Sequence, residues 1–157
     1  MTAEKRRRNP SRLKTNAREE KGHHPELLAA KLSAYLASRD EVLLAFLFGS
    51  YAKGRATGRS DVDVAVYFRA YDLAAVNDLA TELERLLGKN VDLIVLNEAG
   101  SSVAWAALRG LPLLIRDRAF YLQYMLDVSR EAEDFAAFIE DLWRLRRKRR
   151  RRAKDLN

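Results

Sequence analysis

The chain has 157 residues, contains no cysteine and carries a formal net charge of +7. Its length suits one compact domain, and a hydrophobic content of 48% argues against wholesale disorder. Disulfides and thiolate metal sites are excluded, which fits a cytoplasmic setting, and neither a membrane-spanning apolar run nor the apolar segment of a secretion signal is found in the sequence.

The positive charge is concentrated in two tails. Residues 1–22 contain eight Lys or Arg against three acidic residues, and residues 143–157 contain nine against one, which leaves the middle of the chain net acidic. We expect a disordered basic tail over 1–22, one domain over 23–143 and a basic C-terminal tail over 144–157. The tails are either solvated arms or sites of weak, salt-sensitive nucleic-acid contact.

The hydrophobic pattern predicts alternating helices and strands. The apolar run Val42–Phe48 is typical of a strand that is covered on both faces. Residues 61–68 alternate, so that Asp61 and Asp63 lie on one face, and Pro112 favours an edge position for the last strand. The predicted elements are a helix over 25–37, strands over 42–48 and 61–68, a helix capped by residue 72 and ending near 87, a strand over 91–96, a helix over 99–109, a strand over 111–115 and a long helix over 118–143.

This order of elements predicts the fold class. Strands and helices that alternate in this way indicate an α/β (α+β) domain with a mixed sheet of about four strands. Helices flank the sheet, and a long helix ends the domain. Apolar residues at steps of three and four along that helix are expected to pack on the domain itself; partner binding is the alternative.

Two aspartates on one strand point to metal chemistry. Asp61 and Asp63 stand at i and i+2, about 7 Å apart on the same face of a strand. Like charges at this spacing repel, and a divalent cation between them removes the conflict. Oxygen ligands suit Mg²⁺, which typically binds one or two carboxylates together with substrate phosphates. The pair therefore indicates a nucleotide substrate.

The loop before these aspartates carries features of a phosphate-binding segment. Gly49 permits close approach of a ligand to the backbone, and Ser50 offers a hydroxyl and nearby N–H groups. Lys53, Arg55 and Arg59 place positive charge on the same loop. Such charges are as often solubilising as functional, so the pattern alone leaves both interpretations open.

The segment GSYAKGRATGRSDVDVAVYF resembles the signature of the polymerase-β-type nucleotidyltransferase superfamily, in which Gly-Ser is followed after ten residues by Asp-x-Asp. It is most similar to the minimal single-domain members, and among them to the MntA antitoxins that accompany HEPN-domain toxins. VDLIVLNEA resembles the strand of the third carboxylate, which makes Asp92 the third acid. The resemblance covers residues 42–117; Lys53 replaces a frequent Arg, and Val95 a frequent second acid.

The resemblance implies a reaction and its residues. Asp61, Asp63 and Asp92 are expected to be catalytic and to bind two Mg²⁺ ions, with ATP as the donor of AMP. It implies a tyrosine on a separate HEPN toxin as the acceptor. The residues expected to bind the nucleotide are Gly49, Ser50, Lys53, Arg59 and Ser60.

Other interpretations of the sequence stay open at this point. A small-molecule nucleotidyltransferase of the aminoglycoside-modifying kind is the alternative enzyme, and an antitoxin that neutralises by binding alone is the alternative from another class. His23 and His24 are adjacent and therefore do not form an i, i+4 metal pair. Trp105 and Trp143 are expected to pack in the core.

Overall fold

The computed structural model describes residues 25–154, and every helix and strand expected in that range is present. The proposed tail over 1–22, both histidines and residues 155–157 lie outside the described residues. In chain order the elements are α1 (Pro25–Ala37), β1 (Val42–Phe48), α2 (Gly49–Ala52), β2 (Val62–Phe68), α3 (Leu73–Leu87), β3 (Val91–Val95), α4 (Ser101–Leu108), β4 (Leu111–Ile115) and α5 (Arg118–Lys154).

The four strands form one mixed sheet in the order β3-β2-β1-β4. β1 pairs antiparallel with both β2 and β4, whereas β2 and β3 are parallel and are joined by the crossover helix α3. The edge position expected for the strand that contains Pro112 is confirmed. The predicted mixed sheet of four strands with flanking helices is confirmed as well.

Helices cover both faces of the sheet. On one face, α1 and α3 pack against alternate residues of β1 and β2, with Leu32 and Leu79 fully buried. On the other, which we call the α4/α5 face, Phe46 and Ala65 lie beneath Ala104 and Val128. β1 is therefore enclosed from both sides, as its continuous apolar run predicts.

The long helix α5 differs from its predicted extent. Its first turns pack on the α4/α5 face through Tyr121, Met125 and Val128, which confirms the expected intramolecular packing for this part of the helix. Trp105 of α4 is partly buried in the same cluster, whereas the side chain of Trp143 lies outside the described residues. The helix does not end at Trp143 but continues to Lys154. Arg and Lys are good helix formers even where no apolar stripe is present, so apolar periodicity alone underestimated its length. None of the helices in the described part of the chain is long and apolar enough to span a membrane.

Two polar side chains fasten one end of the sheet. The guanidinium of Arg116, just after β4, donates to the carbonyl oxygens of Val42 at 2.8 Å, Ala37 at 2.8 Å and Arg39 at 3.1 Å. The Asn97 side chain, after β3, accepts from the N–H of Phe68 at 2.8 Å and donates to its carbonyl at 2.9 Å. Asn97 thus pairs both backbone groups of the last residue of β2, and Arg116 links the start of β1 to the end of α1 and the turn that follows it.

Candidate active site

The sheet topology brings the predicted acids to one end of the sheet. β1 ends where β2 and β3 begin, because β2 runs antiparallel to β1 and parallel to β3. Asp63 lies directly opposite Asp92 in the β2–β3 ladder and opposite Phe48 in the β1–β2 ladder. Asp61 immediately precedes β2 and is not a strand residue, which corrects the predicted strand start. We call this region the acidic end.

The Asp63 carboxylate is packed against the backbone at Gly49. Gly49 has φ +68°, and a Cβ at this position would stand 1.9 Å from Oδ2 of Asp63. A side chain here would therefore collide with the carboxylate as well as strain the backbone. The backbone N–H of Ser50 donates to the same carboxylate. Gly49 and Ser50 thus position Asp63 directly.

Electrostatics at the acidic end disfavour full ionisation. Partial burial raises the pKa of Asp63, the neighbouring Asp92 carboxylate raises it further, and Asp61 adds to the effect, while the Ser50 hydrogen bond acts in the opposite direction. None of the three aspartates forms an ion pair with another described side chain. The described residues therefore do not neutralise this cluster of like charge.

The donor chemistry fits Mg²⁺. No group of three described His, Cys, Asp or Glu side chains could hold a metal ion as it stands. Mg²⁺ does not require such a group, because it commonly binds one or two carboxylates and completes its shell with water and phosphate oxygens. The paired Asp63 and Asp92 supply two hard oxygen donors on adjacent strands, and Asp61 supplies a third nearby.

The remaining predicted residues lie along the loop between β1 and β2. Lys53 caps the single turn α2, and Gly54 follows with φ +66°. Ser60 accepts a 2.9 Å hydrogen bond from the N–H of Thr57, so its hydroxyl helps to shape the turn before Asp61. Arg59 is exposed and forms no ion pair with a described side chain.

A pocket beside Gly49 adds residues that sequence reasoning missed. It has a volume of about 290 Å³ and lies between the end of β1 and the turn from α4 to β4. Its walls carry two cationic side chains, one of which was not predicted. The residues that line the pocket include Phe48, Gly49 and Lys53 on one side and Arg109, Gly110 and Leu111 on the other. No motif marks Arg109, because only the folding of α4 onto the sheet brings it near Gly49.

Comparison with known proteins identifies the family. Residues 30–119 match the family described as "Polymerase beta, Nucleotidyltransferase", which is more than half of the chain and includes the loop and all three acids. The chain belongs to the polymerase-β-type nucleotidyltransferase family. The predicted resemblance and the fold it implied are both confirmed.

A curated relative of this nucleotidyltransferase is named for its activity. The chain is 41% identical over 64 residues to the protein adenylyltransferase MntA of Thermococcus cleftensis. The match covers 40% of this chain and 65% of the relative. The chain therefore spans slightly less than two thirds of that relative's length.

Two solved structures share the fold. A mutant MntA–HpeT toxin–antitoxin is 26% identical with a TM-score of 0.58, over 75% of this chain and 97% of that chain. A tri-AMPylated Shewanella oneidensis HEPN toxin in complex with an MNT antitoxin is matched at 24% identity with a TM-score of 0.55, over 76% of this chain and 98% of that chain. The second likeness establishes the fold only.

Proposed function

We propose that this chain is a Mg²⁺-dependent adenylyltransferase that moves AMP from ATP onto a tyrosine of a partner HEPN toxin and so acts as its antitoxin. The observation that carries the proposal is the register of Asp63 against Asp92 beside Gly49 and Ser50. Family membership makes nucleotidyl transfer the reaction class. The adenylyltransferase name of the archaeal relative supports AMP as the group transferred.

The residues of the acidic end would have different roles in the reaction. Asp61, Asp63 and Asp92 would hold Mg²⁺, which when bound neutralises charge on the triphosphate and on the leaving pyrophosphate. Gly49 lets the backbone pack against the Asp63 carboxylate, and the Ser50 hydroxyl would bind a phosphate oxygen. Asp63 has to be ionised to act as a ligand, and its raised pKa moves that requirement to higher pH.

The transfer is a single displacement at phosphorus. The acceptor phenol oxygen forms a bond to the α-phosphorus of ATP, and the bond from that phosphorus to the bridging oxygen breaks. Pyrophosphate leaves with the electron pair, and the phenol proton passes to a carboxylate or to water. The protein contributes mainly positioning and charge stabilisation, since no covalent intermediate with the chain is needed.

The site is open enough for an acceptor that another protein presents. Asp61 and Asp92 are exposed, and no separate domain in the described part of the chain encloses a small acceptor above them. A tyrosine extends far from its backbone and has a pKa of about 10, below that of an aliphatic hydroxyl. The toxin–antitoxin complexes among the structural relatives, one with an AMPylated HEPN toxin, support testing such an acceptor first.

The test uses purified protein, Mg²⁺ and ATP labelled in the α-phosphate, with a HEPN-domain toxin as the acceptor and, in a parallel reaction, an aminoglycoside. We expect label on a toxin tyrosine, located by mass spectrometry, and none with Asp63→Asn. An Asp78→Asn variant changes an exposed carboxylate on α3 and should transfer normally. Label on an aminoglycoside instead of the toxin would support the small-molecule alternative, and an inactivated but unmodified toxin would support neutralisation by binding alone.

A further inference from the structure

The pocket beside Gly49 continues the acidic end across the sheet. Asp92, Asp63 and Phe48 occupy paired positions on three adjacent strands, so their side chains share the α4/α5 face. Phe48 and Gly49 also line the pocket, which lies on the β4 side of that row. Gly49 is therefore common to both, with Asp63 on one side and the pocket on the other.

The far wall of the pocket is held close by Gly110. A Cβ on Gly110 would stand 2.3 Å from the carbonyl oxygen of Leu47 and 2.9 Å from Cβ of Phe48. The turn from α4 to β4 can approach the end of β1 this closely only because residue 110 has no side chain. This approach places Arg109 next to the pocket that Lys53 lines from the other wall.

The two cationic side chains of the pocket have no acidic partner among the described residues. Neither Lys53 nor Arg109 forms an ion pair or a side-chain hydrogen bond with another residue whose side chain the structure describes. Both are exposed, so they remain accessible to a ligand. A guanidinium and an ammonium facing one pocket are suited to an anion, and arginine in particular binds phosphate through two parallel N–H donors.

The size of the pocket limits what it can take. Pockets that enclose a whole drug-sized ligand have volumes of about 300–1,000 Å³. At about 290 Å³ this pocket lies at the lower end of that range, a size that suits part of a nucleotide. Its charge selects the part, since phosphates carry negative charge and a nucleoside does not.

We propose that Arg109, opposite Lys53, binds the β- and γ-phosphates of ATP and holds the pyrophosphate as it leaves. This inference rests on the proposed function and adds a substrate-binding residue from outside the Gly-Ser loop and the acids. It also orients the bound ATP, with its α-phosphate at the acidic end and its terminal phosphates toward β4. The competing structural role is that Arg109, as the C-terminal cap residue of α4, offsets the negative end of the helix dipole.

The experiment measures the affinity of the full-length protein for Mg²⁺-ATP and for Mg²⁺-pyrophosphate by titration calorimetry. Arg109→Gln should weaken both by about 10- to 100-fold, the range for loss of a charged hydrogen-bonding group. Arg109→Lys retains charge but not the paired donors, and it should fall between wild type and Arg109→Gln. Arg85→Gln on α3 removes a similarly exposed arginine from the opposite face and should bind like wild type.

The outcomes separate the two roles and the two proposals. A lowered melting temperature with unchanged affinity for both ligands would assign Arg109 to the helix end and overturn the inference. Weaker ATP binding with unchanged pyrophosphate binding would also overturn it, because the contact would then lie elsewhere on the nucleotide. If wild type transfers AMP and Arg109→Gln binds both ligands as tightly as wild type does, only this inference fails. If wild type binds neither Mg²⁺-ATP nor Mg²⁺-pyrophosphate, the proposed function fails with it.

Discussion

The two ends of the sheet are built differently. At the end opposite the acids, Arg116 bonds the carbonyls of Val42, Ala37 and Arg39, and Asn97 bonds both polar backbone groups of Phe68. At the acidic end, burial and then the neighbouring Asp92 and Asp61 carboxylates raise the pKa of Asp63, and no described cation pairs with it. One end thus satisfies its own polar groups, whereas the other leaves charge for a ligand to satisfy. Substitutions at the acidic end should therefore reduce activity without reducing stability, and substitutions at the opposite end should reduce stability without a specific loss of activity.

The largest expected effect is loss of activity at the acidic end. Asp63→Asn should reduce the rate of AMP transfer by at least about 100-fold, because it removes a proposed ligand of the Mg²⁺ that would stabilise charge in the transition state. Its melting temperature without Mg²⁺ should be equal to or above that of wild type, since a repulsion is removed. Transfer at a near wild-type rate would show that Asp63 is not part of the site.

The next effect is loss of stability at the opposite end. Arg116→Met should lower the free energy of unfolding by about 1–3 kcal/mol, since several carbonyls lose a charged donor. Asp40 contributes little to this, because it is fully exposed and lies 3.8 Å from the guanidinium. Chemical denaturation measures the change, and Arg118→Met serves as an exposed control. An unchanged unfolding midpoint would contradict the structural role of Arg116.

A smaller loss is expected at Asn97. Asn97→Ala removes two neutral hydrogen bonds to Phe68 and should cost about 1–2 kcal/mol of unfolding free energy. Asn97→Asp retains the acceptor for the Phe68 N–H but loses the donor to its carbonyl, and it should be no more stable than wild type. Catalytic constants of the folded variants should stay near wild type, so a specific loss of transfer would erase the distinction between the two ends.

The smallest effect is on the pH dependence of stability. Because the pKa of Asp63 is raised in the folded protein, the folded state binds this proton more tightly than the unfolded chain. Ionisation of Asp63 therefore destabilises the folded state. This destabilisation is absent below the unfolded aspartate pKa of about 3.9 and develops as the pH rises from there through the pKa of Asp63 in the folded protein. In metal-free buffer, the stability of wild type relative to Asp63→Asn should fall over that window. A constant difference would contradict the raised pKa.

Much of the fold follows from short-range signals in the sequence. The cap residue Asp72 accepts from the N–H of Ala74 at the start of α3. Gly88 ends α3 with φ +61°, and its N–H donates to the carbonyl oxygen of Glu84. Both limits of the helix therefore follow from residue type. The apolar run of β1 likewise predicted burial on both faces. These features depend on neighbours in the chain, which the sequence shows directly.

What the sequence could not supply depends on long-range packing. The Gly-Ser and Asp-x-Asp spacing predicts a site, but the register of Asp63 with Asp92 is set by how α3 returns the chain to the sheet. The contacts of Arg116 span more than seventy residues, and Arg109 reaches the pocket only through the close approach at Gly110. The nucleic-acid contact of the basic tails and the cytoplasmic location stay predictions.

The central claim is that neutralisation of the toxin depends on chemistry at the acidic end. Co-expression with the HEPN toxin, followed by growth measurement and mass spectrometry of the recovered toxin, tests it most directly. Wild type should restore growth and leave AMP on a toxin tyrosine, whereas Asp61→Ala should still bind the toxin but restore no growth. Full restoration of growth by Asp61→Ala with unmodified toxin would contradict the account.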